Sequence, residues 1–185
     1  MNGIDLLFIL LLLAGLALGF FQGTIKLLIA IIAFYIGIIL ASLYFPIVGN
    51  FFRVRFHASL EVGQIMAFAL ILLISFLLLT VAGLYTFRYA KMPPSLDFID
   101  RIIGTMLGLL LGTLFLGMLA ILLQGLFIDR DVAGSVSFPI MRSFQGGVRS
   151  SFLVSFFGNQ ILPLIYTTVK PLLPRESDFI FRVRR

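Results

Sequence analysis

Asp100-Arg101-Ile102-Ile103-Gly104-Thr105-Met106-Leu107-Gly108-Leu109-Leu110-Leu111-Gly112 opens an apolar run that continues to Ile128. An acid and a base stand at its mouth, and glycine then recurs every fourth residue. On a helix that spacing is a single face. A ridge without side chains lets another backbone approach closely, which matters in lipid, where apolar bulk alone does not drive helices together. The stretch therefore predicts a membrane helix with a contact face and a charged entrance.

The rest of the chain agrees with that setting. Hydrophobic residues make up 61% of the 185 and charged residues 12%, with a mean hydropathy of +1.14. Soluble domains run at about 45 to 50% apolar and 25% charged. The composition therefore predicts an integral membrane protein and leaves no room for a sizeable soluble domain. The formal charge is +6, but the fourteen Lys and Arg are scattered through short loops and the tail and form no sustained basic face. Anionic lipid headgroups are the expected partner, and nucleic acid is not. With no cysteine there is no disulfide, thiolate metal site or cysteine nucleophile. The 21 Phe and 5 Tyr occur without a Trp, so an interfacial belt must rest on Tyr, Phe and basic residues.

Four runs are long enough to cross a hydrocarbon core of roughly 30 Å at 1.5 Å per residue. They cover about 4–21, 27–45, 65–87 and 102–128. The first lacks a basic leader and a small-residue cleavage site, so it reads as a retained span. Within it Gly15, Gly19 and Gly23 repeat the fourfold spacing of Gly104, Gly108 and Gly112, and these six are the candidate helix-packing residues. Lys26 marks a turn tight enough to predict a hairpin of spans one and two. Pro46 is expected to end span two, and the mixed segment with Arg53 and Arg55 to lie at the interface. Asp97 is positioned to cap span four.

After residue 130 the texture changes. Ile140, Met141, Phe144, Val148 and Phe152 fall at helical spacing opposite Arg142, Gln145 and Arg149, as expected of a helix lying on the membrane. A second amphipathic piece, with Ser151, Ser155 and Asn159 opposite Phe152, Phe156 and Ile161, runs to Pro163. The expected organisation is all-α: a four-span membrane domain (1–130), an amphipathic membrane-surface region (131–174) and a basic tail (175–185).

Little in the chain points to catalysis. The single histidine, His57, reads as a surface residue, and the glycine patterns are not phosphate loops, because no Gly-Lys-Ser/Thr follows and no strand precedes. No metal or other cofactor is expected. The candidate functional charges are Asp5, Lys26, Asp100 and Arg101. Asp5 reads as an anion at the positive end of a helix dipole. Asp100 with Arg101 reads either as a helix-start cap beside a snorkelling base or as part of a pair, Asp100 with Lys26 or Arg101 beneath the glycine contact, that holds closed a conduction path. The alternatives are thus a non-enzymatic helix-packing scaffold and an oligomeric small channel or transporter with span four lining the pore. Partners could include a second copy of the chain or export and envelope membrane proteins.

The first and third loops are short and carry Lys26, Arg88 and Lys91, and Arg101 stands at the same end. Arg53 and Arg55 stand on the other side, where Arg130 and Arg142 bring the tally level and the tail arginines would reverse it, so charge alone does not decide. Weighting the short loops most, both termini are expected outside the cytoplasm.

Three groups of residues make the chain resemble the colicin V production protein family of bacterial inner-membrane proteins. They are Asn2-Gly3-Ile4-Asp5, then Gly19-Phe20-Phe21-Gln22-Gly23 followed by Lys26, and Asp100-Arg101-Ile102-Ile103-Gly104 with Gly108 and Gly112. The resemblance spans roughly residues 2–130. Gly3 departs from it, because similar proteins carry an aromatic residue there. The resemblance implies four spans in the inner membrane and a role in toxin production or export, or in envelope homeostasis. Some relatives carry a periplasmic protease domain after span four, which also implies a periplasmic C-terminus.

Overall fold

The computed structural model describes residues 2–56, 59–89, 94–127 and 139–172. Expectations for His57, Lys91, Ile128, Arg130 and the 175–185 tail, and for the side chains of Ile140, Met141, Arg142 and Phe144, fall outside the described residues. Four helices are long and apolar enough to cross a membrane. They are α1 (Gly3–Gln22), α2 (Thr24–Phe56), α3 (Leu60–Thr86) and α4 (Asp97–Phe127), the last entered through a 3-10 turn at Pro94–Leu96. Then come α5 (Pro139–Ser150), α6 (Phe152–Phe156), a π turn over Phe157–Ile161, α7 (Leu162–Val169) and a closing 3-10 turn at Lys170–Leu172. The described residues contain no strand. The chain is a multi-pass, all-α membrane protein.

The helices assort as two close pairs, α1 with α4 and α2 with α3. This corrects the expected hairpin of the first two spans. Gly23 alone separates α1 from α2, but α1 swings away to lie along α4. Its φ of 77° and ψ of 174° belong to a region that is essentially closed to residues with a Cβ. A one-residue turn of that geometry reverses the chain across the membrane while leaving α1 and α2 splayed, with little contact between them.

Pro46 does not end α2, which continues for ten more residues to Phe56. The missing N–H at Pro46 deprives the Ser42 carbonyl of its partner one turn back. Membrane helices tolerate that loss where neighbouring helices support the backbone, and here Ala41 and Phe45 are buried, with the Phe45 and Phe68 rings 6.3 Å apart. At 33 residues α2 measures about 50 Å, well beyond a hydrocarbon core of roughly 30 Å. Arg53 and Arg55 therefore stand on its last turns and not on a separate interfacial segment. Beyond Pro46 the α2–α3 seam is closed by glycine: the Gly49 carbonyl lies 2.8 Å from a Cβ placed on Gly63.

Two apolar clusters fill the bundle. One joins α2, α3 and α4 through Phe34, Phe45, Phe68 and Met118; the other joins α1 and α4 through Phe8, Leu116 and Ala120. Phe34 also closes a triangle with Phe76 and Phe115, ring centroids 6.0 to 6.1 Å apart, that runs from the buried core to an exposed edge at Phe115. The segment from α6 to α7 ties the clusters together. Val154 and Phe157 belong to the α1/α4 cluster, Ile165 to the other, and Ile161 packs against both. Gly117 on α4 makes room for this crossing, since a Cβ there would stand 3.0 Å from Ile161 and Ile165.

Candidate functional site

The two glycine ridges meet each other along antiparallel helices. A Cβ on Gly15 would stand 3.0 Å from the Gly108 carbonyl oxygen and 3.5 Å from the Gly112 Cα. One turn on, a Cβ on Gly19 would collide with the carbonyl of Gly104 and lie 3.0 Å from the Gly108 Cα. The contact loosens toward Gly112, whose nearest neighbours across the seam lie at 3.8 and 3.9 Å. Between Gly19 and Gly108 the backbones themselves are in contact, the approach that small residues permit in lipid.

At one end of this seam Asp100 holds the turn. Its Oδ1 accepts the Thr24 N–H at 2.8 Å, and its backbone carbonyl accepts the Thr24 hydroxyl at 3.0 Å. Thr24 begins α2, so Asp100 satisfies one of the amide groups that every helix start leaves without a partner in its own helix and puts an anion at the positive end of that dipole. Gly104, one turn below, lets Gly23 rest on α4, with a Cβ there only 3.1 Å from the Gly23 Cα. The Asp100–Gly104 motif is therefore a cradle for the α1–α2 turn.

The expected pairing of Asp100 with Lys26 or Arg101 is not what the geometry contains. Lys26 is exposed on α2. Arg101 forms an i, i+4 pair with Asp97 at 3.6 Å, and its guanidinium lies 5.5 Å from the Phe20 ring centre. Asp97 serves that surface pair. The Thr105 hydroxyl turns back onto the Arg101 carbonyl at 2.7 Å, and Gly104 and Gly108 face α1.

Asp5 anchors the opposite end. Only 5% exposed, it needs hydrogen-bond donors to be tolerable there, and it has three. Oδ1 accepts from the Ser151 hydroxyl at 2.6 Å and the Leu153 N–H at 3.0 Å, and Oδ2 accepts from the Asn2 N–H at 3.1 Å. One carboxylate thus caps two helix starts, α1 and α6. Ser151 is itself the N-cap of α6, accepting from Val154 N–H at 3.1 Å.

Neighbouring side chains extend the junction. Asn2 donates to the Gly147 carbonyl and the Ser150 hydroxyl, each at 2.8 Å. Gln145 donates to the carbonyl of Phe127, the last residue of α4, at 3.0 Å. Gln124 reaches the Val154 carbonyl at 2.9 Å. Orphan groups at the ends of α1, α4, α5 and α6 are satisfied by one another's segments. Ser151 is therefore buried, separate from Ser155 and Asn159, which are exposed together with Phe152 and Phe156.

Asp5 stands out in the sequence, whereas Ser151 and Gln145 look there like surface residues of amphipathic helices and Gln124 carries no signal. An acid inside an apolar run with no local partner was the available signal, since such a group must find donors from elsewhere in the chain. Among the described residues no group of three or more His, Cys, Asp or Glu is arranged to hold a metal.

A four-helix membrane bundle, with backbone contact along one seam and a carboxylate latch at each end of it, defines the class. The chain belongs to the colicin V production protein family, whose sequence model matches residues 4–161, from α1 through the π turn after α6. No curated protein and no solved structure matches it.

Proposed function

We propose that this protein is a non-enzymatic scaffold or accessory factor of the bacterial inner membrane. In that role it serves colicin V-type toxin production or export, or envelope homeostasis, by presenting a fixed arrangement of helices. One observation carries this reading: Asp5 and Asp100, the carboxylates nearest the seam, are both engaged with the backbone of another helix. Polar chemistry that a transport path would expose to a solute is here used to fix helix ends.

Both termini are periplasmic in this reading, and Lys26, Arg88 and Arg101 face the cytoplasm, where short basic loops are retained. The outward apolar faces of α1 and α3 are the surfaces offered to a second copy of the chain or to export and envelope membrane proteins. Gly108→Leu tests the reading, because it forces α1 from α4 while adding no charge. With membrane insertion verified, the expected outcome is loss of secreted toxin activity from cells lacking the wild-type protein and no ion conductance from either form in planar bilayers. Wild-type conductance that the substitution abolishes would replace the scaffold by a channel, and full secretion by the variant would refute both.

A further inference from the structure

The two helix pairs do not close completely on each other. A cleft of about 290 Å³ remains between them, walled by Leu11 and Leu18 of α1, Ala30 of α2, Phe76 and Thr80 of α3 and Phe115 of α4. That is near the lower bound of small-molecule sites, about 300 Å³, and its lining is almost wholly apolar. Gln22 also borders it, on the last turn of α1 near the Asp100 end. The exception within the wall is Thr80, whose hydroxyl oxygen is buried and has no hydrogen-bond partner. A hydroxyl removed from water and left unbonded costs about 1–3 kcal/mol, so this wall is complete only with an occupant that can accept or donate.

Charge identifies the occupant. Lys26 stands one turn before Ala30 on the same face of α2. Ile29 packs into Gly83, where a Cβ would collide with it, so the start of α2 and the end of α3 lie at one level. Arg88 follows on the α3 side, its guanidinium 5.1 and 4.6 Å from the ring centres of Tyr85 and Tyr89. The carboxylates at this end are committed elsewhere, Asp97 to Arg101 and Asp100 to Thr24. Lys26 and Arg88 therefore have no carboxylate partner among the described residues. Lys26 directly precedes Leu27, which lines the cleft, and Arg88 follows Thr80 by about two turns toward the same end.

We propose that the cleft binds one anionic phospholipid: an acyl chain lies between the helix pairs, the phosphate sits on Lys26 and Arg88, and a lipid carbonyl accepts from the Thr80 hydroxyl. A free anion shares the phosphate chemistry, but only a lipid also fills the apolar wall. The assignment goes beyond the scaffold reading and does not depend on it.

Native mass spectrometry of the purified full-length protein, loaded from micelles containing phosphatidylglycerol or phosphatidylcholine, tests the site. One retained phosphatidylglycerol per chain is expected, with phosphatidylcholine retained more weakly. The double variant Lys26→Gln/Arg88→Gln alters exposed residues only and is expected to cut phosphatidylglycerol retention by about tenfold or more. Arg53→Gln/Arg55→Gln, at the far end of α2, is expected to leave it unchanged. Ala30→Phe, which fills the cleft, is expected to reduce retention of both lipids, with the melting temperature reporting whether that variant folds. Inorganic phosphate in excess is expected not to displace the lipid. Equal retention of the two lipids, an unaffected Lys26/Arg88 variant, an equal loss in the Arg53/Arg55 variant, or full displacement by phosphate would each overturn the proposal.

Discussion

Replacing Asp100 by alanine leaves the Thr24 amide without its acceptor, and Asp5→Asn removes a charged acceptor shared by three donors. Each is expected to lower stability by about 1–3 kcal/mol, read as a lower melting temperature in detergent, with Asp5→Asn alone also exposing the α5–α6 junction to added protease. The glycines of the seam give a graded series. Gly19→Ala and Gly108→Ala put a methyl group into backbone and should melt lowest; Gly15→Ala, with its closest approach at 3.0 Å, comes next; Gly112→Ala, at 3.8 Å, should match wild type. An equal effect at all four positions would contradict the backbone contact. Fourfold spacing made these residues visible as two faces, because spacing along one helix is a local property. The partners of Asp5 were not visible, because Ser151 lies 146 residues away and no periodicity links them. For Asp100 the sequence offers a cap on its own helix or a basic side chain, because local position and charge are what a sequence displays. The geometry instead uses a backbone amide, which no residue type advertises.

At the scale of the helix, α2 is where local rules misled. A proline that would end a helix in water is carried through when the flanking turns are packed, and Pro46 has α3 alongside it. The cost falls one turn earlier, on the Ser42 carbonyl; the Ser42 side chain is separately 1% exposed, and its hydroxyl has no partner. Ser42→Ala removes that unsatisfied group and is expected to hold or raise stability by up to about 1 kcal/mol, measured by detergent-melting midpoint. A marked loss would mean that the hydroxyl bonds to something in the membrane. The α2–α3 seam was illegible for a different reason. Gly37, Gly49, Gly63 and Gly83 all meet the opposite helix, but they are too far apart along their own helices to form a ridge. The spans themselves were legible from run length and hydropathy, which are set by bilayer thickness.

At the scale of the whole molecule, the segment from α6 to α7 crosses α4 and joins two clusters that otherwise share little. Its amphipathic pattern was readable, but its route over α4 depends on Gly117 and Gly158, single glycines with no pattern around them. Orientation is testable directly because the chain has no native cysteine. With both termini periplasmic, Ser155→Cys is expected to react with an impermeant maleimide added outside spheroplasts and Lys26→Cys only after lysis. The reverse result would invert the topology while leaving the helix contacts intact.

The latches at the two ends of the bundle also set an order of events during synthesis. Thr24 and Asp100 are 76 residues apart, and Asp5 and Ser151 are separated by 146. When α1 and α2 leave the ribosome, the acceptor for one helix start and two of the three donors for one buried acid have not yet been made. The first half of the chain must therefore wait in the membrane, held by the insertion machinery or by lipid headgroups, until α4 arrives to close one end and α6 the other. Maturation runs from the Thr24 end to the Asp5 end, and α6, made after all four spans, completes the anchoring of a residue made nearly first.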